Sequence, residues 1–464
     1  MIHDGIMIEL KSVSLRLYLD AAQAVLCRKT GGCVRLVKNL GLEQRSTFSR
    51  PGRSINYYAQ RAELSALKEA APFLREAPHH CLQEALVDLD KAFANFLAGR
   101  AAYPKRQKKR DGCSFRFPDP KQFHIRGDTS TPDRKRNRGI RDVVLHLPKL
   151  GDVRASMPRA LPPGARIKSV TVSSSGDWWC ASILYERKVD LPEDRSQQAV
   201  VGVDLGVCQP VATSIGEILT LPRVTERGKE RERRLNRTVS RRKKGSSNRR
   251  KAVRALARFK AAQARRRRDA REKLTTRLAQ NHGVIAMEGL KLRNMTASAQ
   301  GTAAEPGRNV AQKAGLNRSL LDMGMGTMRL RLGQKLAADG GVLLLVPPAH
   351  TSQRCNACGH IDPDNRPERD TFRCVACGHE ADPDVNAALN IRDYALGLWG
   401  DAGRVKVVAS LPLLLEQQAK AKSRFRKKTT GGTGGHLGPA CGDHCEGMSV
   451  KQEMTRRKPG KMAA

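Results

Sequence analysis

Two cysteine pairs constrain this chain more tightly than any other feature: Cys355-x2-Cys358, fifteen residues, then Cys374-x2-Cys377. Thiolates two residues apart can reach one ion, and two such knuckles complete a tetrahedral four-cysteine site. Gly359 and Gly378 follow the second cysteine of each pair, where a tight knuckle turn favours glycine. Four protein ligands leave no coordination position open, so the expected Zn2+ is structural. It would fold a ribbon too poor in apolar residues to fold alone. His360 and His379 are alternative ligands, with surface positions preferred for both. His436, Cys441, His444 and Cys445 could form a second site, although a flexible segment is the preferred reading there.

The rest of the chain is dominated by positive charge. Among 464 residues, 85 Lys and Arg face 45 Asp and Glu, a net charge of +40. Such a surplus repels itself in the folded state, and a polyanion relieves it by releasing condensed counterions. Nucleic acid is therefore the expected partner. A hydrophobic content of 39% still fills real cores, so the chain as a whole is not a disordered one. No apolar run approaches the roughly 20 residues that span a bilayer, and no membrane partner is expected. The alternating Ile6, Ile8, Leu10 and Val13, Leu15, Leu17, Leu19 read as a strand rather than a signal peptide. Twelve cysteines, only four of them clustered, do not make a dense disulfide framework. The chain reads as cytoplasmic and reduced.

Patterning divides the chain near residue 198. Before it, a strand over 6–19 is followed by helices over 57–70 and 78–98, the latter with Leu82, Leu86, Leu89, Phe93 and Phe96 at core spacing. Strand-like stretches then cover 115–117, 143–147, 169–173 and 178–185, with a hairpin turn at Ser175-Gly176-Asp177. Period-2 patterning spread this way suggests a small barrel interrupted by helices. After 198, apolar strands at 199–203, 210–214, 283–287 and 342–346 alternate with helices at 317–338 and 384–395, which argues for an α/β sheet. Residues 223–277 carry 24 Lys and Arg against five acids, in two expected helices broken at Gly245-Ser246-Ser247-Asn248. Arg241, Arg242, Lys243, Lys244, Arg249 and Arg250 flank that break. A charge so dense in one sign is expected to meet phosphate rather than only water. The tail beyond about 422 is polar and Gly-rich and is expected to be disordered.

Three carboxylates stand out against this frame. Asp204 ends the apolar run VVGVDLG, Glu288 ends GVIAMEGL, and Asp384 opens the helix DPDVNAALNI just after the cysteine ribbon. Carboxylates at the ends of buried strands can point into the crevice where open α/β sheets place their sites. Converging there, they would repel one another unless cations lay between them. Two Mg2+ ions would serve, activating water and stabilising the leaving oxygen of a phosphodiester. Each acid also has a plainer reading: Asp384 as a helix cap, Glu288 as a surface residue, Asp204 as a turn residue.

With these motifs the chain resembles the TnpB (OrfB) proteins of bacterial insertion sequences, relatives of the type V CRISPR effector nucleases. The likeness runs from about residue 15 to 396 and includes RLYLDAAQAVLCRKTGGCVRLVKNLGL (16–42), HLPKLGDVR (146–154), SRRKKGSSNRRKA (240–252) and VPPAHTSQRCNACGH (346–360). It implies an α/β, RuvC-like RNase H nuclease domain with an inserted zinc ribbon. An N-terminal β-barrel, the wedge domain, would precede it and be interrupted by a helical recognition domain. The implied divisions are wedge 1–56 and 101–197, recognition 57–100, nuclease 198–351 and 383–400, ribbon 352–382 and tail 401–464. Asp204, Glu288 and Asp384 then match the catalytic acids, and Cys355, Cys358, Cys374 and Cys377 the zinc ligands. Arg366 resembles an arginine that approaches the scissile phosphate. The resemblance implies a metal-dependent, RNA-guided DNA endonuclease with a transposon-encoded guide RNA and double-stranded target DNA as partners. A nuclease-silent RNA-guided regulator is one alternative; a transposase or resolvase on the same fold is another.

Overall fold

The computed structural model describes residues 6–48, 55–127, 141–175, 178–206, 211–302, 305–410 and 412–413. The expected tail disorder, the glycine of the 175–177 turn and the tail histidines and cysteines lie outside them.

The N-terminal part is an antiparallel sheet with helices set into it. β1 (Ile6–Tyr18) leads into α1 (Ala21–Phe48), α2 (Tyr57–Ala62), α3 (Leu64–Ala70) and α4 (His79–Leu97). Then come β2 (Ser114–Phe117), β3 (His124–Arg126), β4 (Arg141–Leu147), β5 (Gly151–Met157), β6 (Arg166–Ser175) and β7 (Trp178–Asp190). The strand order is β2-β6-β7-β1-β5-β4-β3. Period-2 alternation does what it should: Val13, Leu15 and Leu17 of β1 are buried while Ser14, Arg16 and Tyr18 face outward. The inward set joins Phe115, Phe117, Val143, Leu145, Val170, Val172 and Ile183 in one core, closed by Leu82 and Leu86 of α4 and Val34 and Val37 of α1.

Two expectations change here. The inserted helices begin at Ala21, well before residue 57, because α1 supplies a buried face of Cys27, Cys33, Val34 and Val37. The last turns of α4 are not core. Phe96 is 37% exposed, and Phe93 and Phe96 instead stack edge-on against Tyr103, at 5.5 and 5.2 Å.

The second part opens with β8 (Val200–Asp204), β9 (Val211–Thr213) and β10 (Ile218–Leu219), followed by α5 (Glu226–Arg241) and α6 (Ser247–Asn281). It continues through β11 (Val284–Glu288), α7 (Leu292–Met295), α8 (Val310–Met323), α9 (Met325–Ala338) and β12 (Val342–Val346). A two-stranded ribbon, β13 (Phe372–Arg373) and β14 (Glu380–Ala381), precedes α10 (Pro383–Ala395) and β15 (Lys406–Ala409). The six-stranded sheet runs β10-β9-β8-β11-β12-β15, with β8, β11 and β12 parallel and the others antiparallel. Its central strands read as unbroken apolar runs because both faces are covered. Ile285 and Met287 pack under Leu274 and Leu278 of α6 and Leu332 and Leu336 of α9. Ala286 and Val346 face Ile391 and Tyr394 of α10 on the other side.

Three local departures have physical causes. The helix expected over 317–338 is two, broken at Gly324, whose φ of 68° ends α8 and which caps α9. β15 lies in the segment assigned to the tail, where it pairs with β12. The third concerns Gly202 in β8: a Cβ there would sit 2.0 Å from the Ala388 carbonyl oxygen of α10. That approach presses α10 onto the sheet. We expect Gly202→Ala to cost about 3 kcal/mol through overpacking against backbone, which has no side chain to rotate away. Urea denaturation checks this, and an unchanged midpoint would show that α10 is not held so closely.

Candidate functional site

The three acids come from separate elements that the fold brings to one place. In the parallel pairing of β8 and β11, Val203 lies opposite Met287, so the next step along each strand places Asp204 and Glu288 side by side. Asp384 arrives in the first turn of α10, which packs across these strands. Its cap is not its own: the Asp382 carboxylate accepts from the backbone N–H groups of Asp384 and Val385, at 2.9 and 3.0 Å. This removes the plain reading of Asp384 as a helix cap; its carboxylate faces Arg366 instead.

The electrostatics record the convergence. Burial pushes the Asp204 carboxyl up to about 7, with the negative charges of Glu288 and Asp384 adding to the shift against the Leu205 N–H and Arg366. Burial also raises Glu288, opposed by a hydrogen bond from the Thr351 hydroxyl. Asp384 is raised by burial and by Asp382, while Arg366, whose Nη2 lies 3.4 Å from its Oδ1, opposes the rise. The three half-buried carboxylates are hard oxygen donors, and the other two hold Asp204 up; among the described residues they do not draw within the 4.8 Å of one another that the cysteine sulfurs reach. The donor chemistry fits a divalent cation such as Mg2+.

The four cysteine sulfurs meet as the spacing requires, all within 4.8 Å of one another. Cys355 and Cys377 stand 3.8 Å apart and Cys358 and Cys374 3.5 Å. Zinc with bonds near 2.3 Å in a tetrahedron sets its sulfurs about 3.8 Å apart, so the residues fit that ion. Both knuckles close identically: Gly359 N–H donates to the Cys355 carbonyl and Gly378 N–H to that of Cys374, each at 2.9 Å. Both glycines sit at positive φ, 80° and 73°. His360 and His379 contribute only their carbonyls, to the amides of Cys355 and Cys374. This is the only group of three or more potential metal-ligating His, Cys, Asp or Glu side chains within such reach among the described residues.

Buried amides missed by the sequence reading join ribbon to site. Asn386 accepts from the Asn356 N–H and donates to the Arg354 carbonyl; Asn390 donates to the carbonyls of Thr351 and Arg354. Asn365 holds the knuckles together, donating to Gln353 and His360 and accepting from Val375 N–H. All three asparagines are fully buried. Their signal was present in VNAALNI, where Asn386 and Asn390 recur at i, i+4 on one helix face. The segment that bonds Asn390, Thr351 to Arg354, also orients Glu288 through the Thr351 hydroxyl.

The basic hairpin forms as its sequence suggests. Ser246 caps α6, its hydroxyl accepting from Arg249 N–H at 3.1 Å. Arg241, Arg242, Lys243, Lys244 and Arg250 are exposed, and none has an ion-pair partner among the described residues. Arg249 differs, for its guanidinium donates to the carbonyls of Val239 and Arg242 and so shapes the turn.

Residues 182–299 match the family model described as "Probable transposase", OrfB_IS605. Residues 326–391 match "Cas12f1-like, TNB domain". Residues 7–48 match a "Helix-turn-helix domain", which in this structure are one strand and one 28-residue helix. The Escherichia coli protein named "Putative RNA-guided DNA endonuclease InsQ" is 36% identical over 367 residues, 78% of this chain and 87% of that protein. A Streptomyces pristinaespiralis protein named "Putative RNA-guided DNA endonuclease" is 32% identical over 402 residues, 84% of this chain and 90% of that protein. A cryo-EM structure of a Cas12f1–sgRNA–target DNA complex aligns at a TM-score of 0.46 and 12% identity, covering 84% of this chain and 99% of that one. The chain belongs to the TnpB (OrfB) family of insertion-sequence proteins.

Proposed function

We propose that this chain is an RNA-guided DNA endonuclease of a transposable element, with Asp204, Glu288 and Asp384 as its catalytic acids. The observation that carries the reading is their convergence from β8, β11 and α10, with Asp204 raised to about 7 by burial and by the other two. The names of the relatives agree with it. In this reading the six-stranded sheet with α6, α9 and α10 is the RuvC-like RNase H nuclease domain, and the seven-stranded sheet with its inserted helices is the wedge barrel and recognition domain. Localisation follows the substrate, in the bacterial cytosol. Among the described residues no helix is long and apolar enough to cross a membrane.

Two Mg2+ ions held by the three acids would activate a water and stabilise the leaving oxygen of the scissile phosphodiester. The protein's own residues prepare that site. Thr351 fixes the rotamer of Glu288, Asp382 fixes the first turn that presents Asp384, and Arg366 stands beside Asp384 where an approaching phosphate would meet a second donor. Zn2+ on the four cysteines would hold the ribbon, and through Asn386 and Asn390 the ribbon holds α10. A nuclease-silent regulator would not need three mutually repelling carboxylates, and a transposase or resolvase would not need a guide.

The five exposed cations at the hairpin tip are read as phosphate contacts, which carry affinity but little sequence information. Replacing Arg241, Arg242, Lys243, Lys244 and Arg250 with Gln should weaken binding for every guide alike. It should flatten the dependence of log affinity on log salt by roughly 0.7–0.9 per lost contact. An unchanged slope would leave the hairpin as a solvated surface. The function itself is tested by sequencing RNA that co-purifies with the protein. One discrete transposon-derived species is expected; a protein that purifies free of RNA would favour the transposase or resolvase reading.

A further inference from the structure

We infer that Arg16 and Arg265, both stacked on Trp178, form a clamp for the phosphodiester backbone of a nucleic-acid strand running over the seam where α6 meets the N-terminal sheet. The inference rests on the RNA-guided reading and gives it a specific contact outside the hairpin tip.

The three residues come from distant parts of the chain. Arg16 and Trp178 lie on the hydrogen-bonded strands β1 and β7, where Arg16 pairs with Cys180. Arg265 comes from the middle of α6. The Arg16 guanidinium carbon is 3.9 Å from the centre of the Trp178 ring and that of Arg265 is 4.1 Å away; Arg16 also reaches Tyr18 at 5.1 Å. One indole therefore holds two like charges close together.

What these arginines lack is as informative as what they touch. Stacking engages the flat face of a guanidinium and leaves its five N–H donors, which lie in the plane, unused. Among the described residues neither Arg16 nor Arg265 makes a hydrogen bond or an ion pair. Asp269, one turn along α6 from Arg265, is engaged by Lys273. The surroundings are basic, with exposed Arg154 opposite Tyr18 on β5 and with Arg266 and Arg268 on α6. Two like charges held side by side on one indole raise the local positive potential, which favours a bound anion. An indole stack fixes their direction in advance, so little side-chain entropy is lost when a phosphate arrives. A strand supplies successive phosphates to Arg16, Arg265 and Arg154, which a free anion cannot do.

The clamp also ties the two sheets together, since no phosphate can engage both arginines unless α6 lies against the β1–β7 pair.

The test uses the full-length protein with both arginines changed, Arg16→Gln and Arg265→Gln, together with a separate Trp178→Leu variant. Affinity is measured across a KCl series for guide RNA alone and then for target DNA added to the RNA complex, with melting temperature as the folding control. The double variant should lose about 1.4 from the log–log salt slope, about 0.7 for each contact to a single strand. Trp178→Leu keeps both charges but not their direction, so it should weaken binding while leaving the slope near wild type. A slope change with RNA alone assigns the clamp to the guide, and one seen only on adding DNA assigns it to the target strand. An unchanged slope in both arms, with a lower melting temperature, would reduce the three residues to a strut between sheets and overturn the clamp. If the wild-type protein binds RNA and the variants bind with the same affinity and slope, the clamp alone fails. If the wild type binds no RNA, the guided reading fails with it.

Discussion

Asp204→Asn should abolish DNA cleavage and, in the metal-free protein above pH 7, raise the melting temperature. The sign follows from the direction of the shift. The Asp204 carboxyl is raised from an ordinary 3.8 to about 7 in the folded chain. Its folded state therefore binds a proton more tightly than its unfolded state does. That contribution is fully present below pH 3.8, declines as pH rises, and is gone above about 7. Three pKa units correspond to about 4 kcal/mol, which for a domain of 150–250 residues is roughly 8–16 °C at most. Asparagine keeps the shape and never ionises, so the variant escapes the loss. Differential scanning calorimetry of both proteins at pH 5 and pH 8 in chelator checks this: the curves should lie closer at pH 5 and part at pH 8. Adding Mg2+ should then raise the wild type more than the variant. Equal melting temperatures at both pH values would mean that burial and the neighbouring Glu288 and Asp384 do not hold the Asp204 carboxyl up.

Removing zinc should be the other large effect. Structural zinc in small cysteine sites supplies apparent binding energies of about 10–16 kcal/mol, which is the folding energy of such modules. The ribbon here has little else. Its own core is Cys355, Phe372 and Cys374, with Ala381 alongside. Cys374→Ser should lose the one equivalent of Zn2+ found by elemental analysis, expose residues 352–382 to limited proteolysis, and stop cleavage. Cleavage is lost because the ribbon's bonds to Asn386 and Asn390 help seat the α10 turn that carries Asp384. Guide binding should survive, since the basic hairpin lies on α5 and α6. A zinc-free protein that still cuts would break the link between ribbon and acids.

Much of this site was legible because it is written in local patterns. The knuckles follow from C-x2-C spacing and the strands from apolar runs. The hairpin follows from Ser246 behind a charge block, and the three acids from their places at element ends. What stayed hidden depends on tertiary contact. Helix α1 holds Gly31 and Gly32, which read as helix-weakening, yet a Cβ on Gly31 would fall 1.8 Å from the Cys113 sulfur. Close packing, not local propensity, put glycine there. Asn386 and Asn390 look like ordinary helix polar residues until the ribbon's carbonyls arrive. Arg249 is one of six cations in the sequence and one of a different kind in the fold, because only the closed turn offers it carbonyls. β15 was read as tail because four residues of KVVA gain meaning only beside β12.

The central claim is that a guide RNA directs Asp204, Glu288 and Asp384 to a chosen DNA sequence. The direct measurement is plasmid cleavage by purified protein carrying a guide whose targeting segment has been rewritten. Cutting should follow the new sequence, require both the RNA and Mg2+, and vanish in Asp204→Ala, Glu288→Ala and Asp384→Ala while target binding persists. Cutting that ignores the rewritten guide, or that survives loss of any of the three acids, would contradict the account.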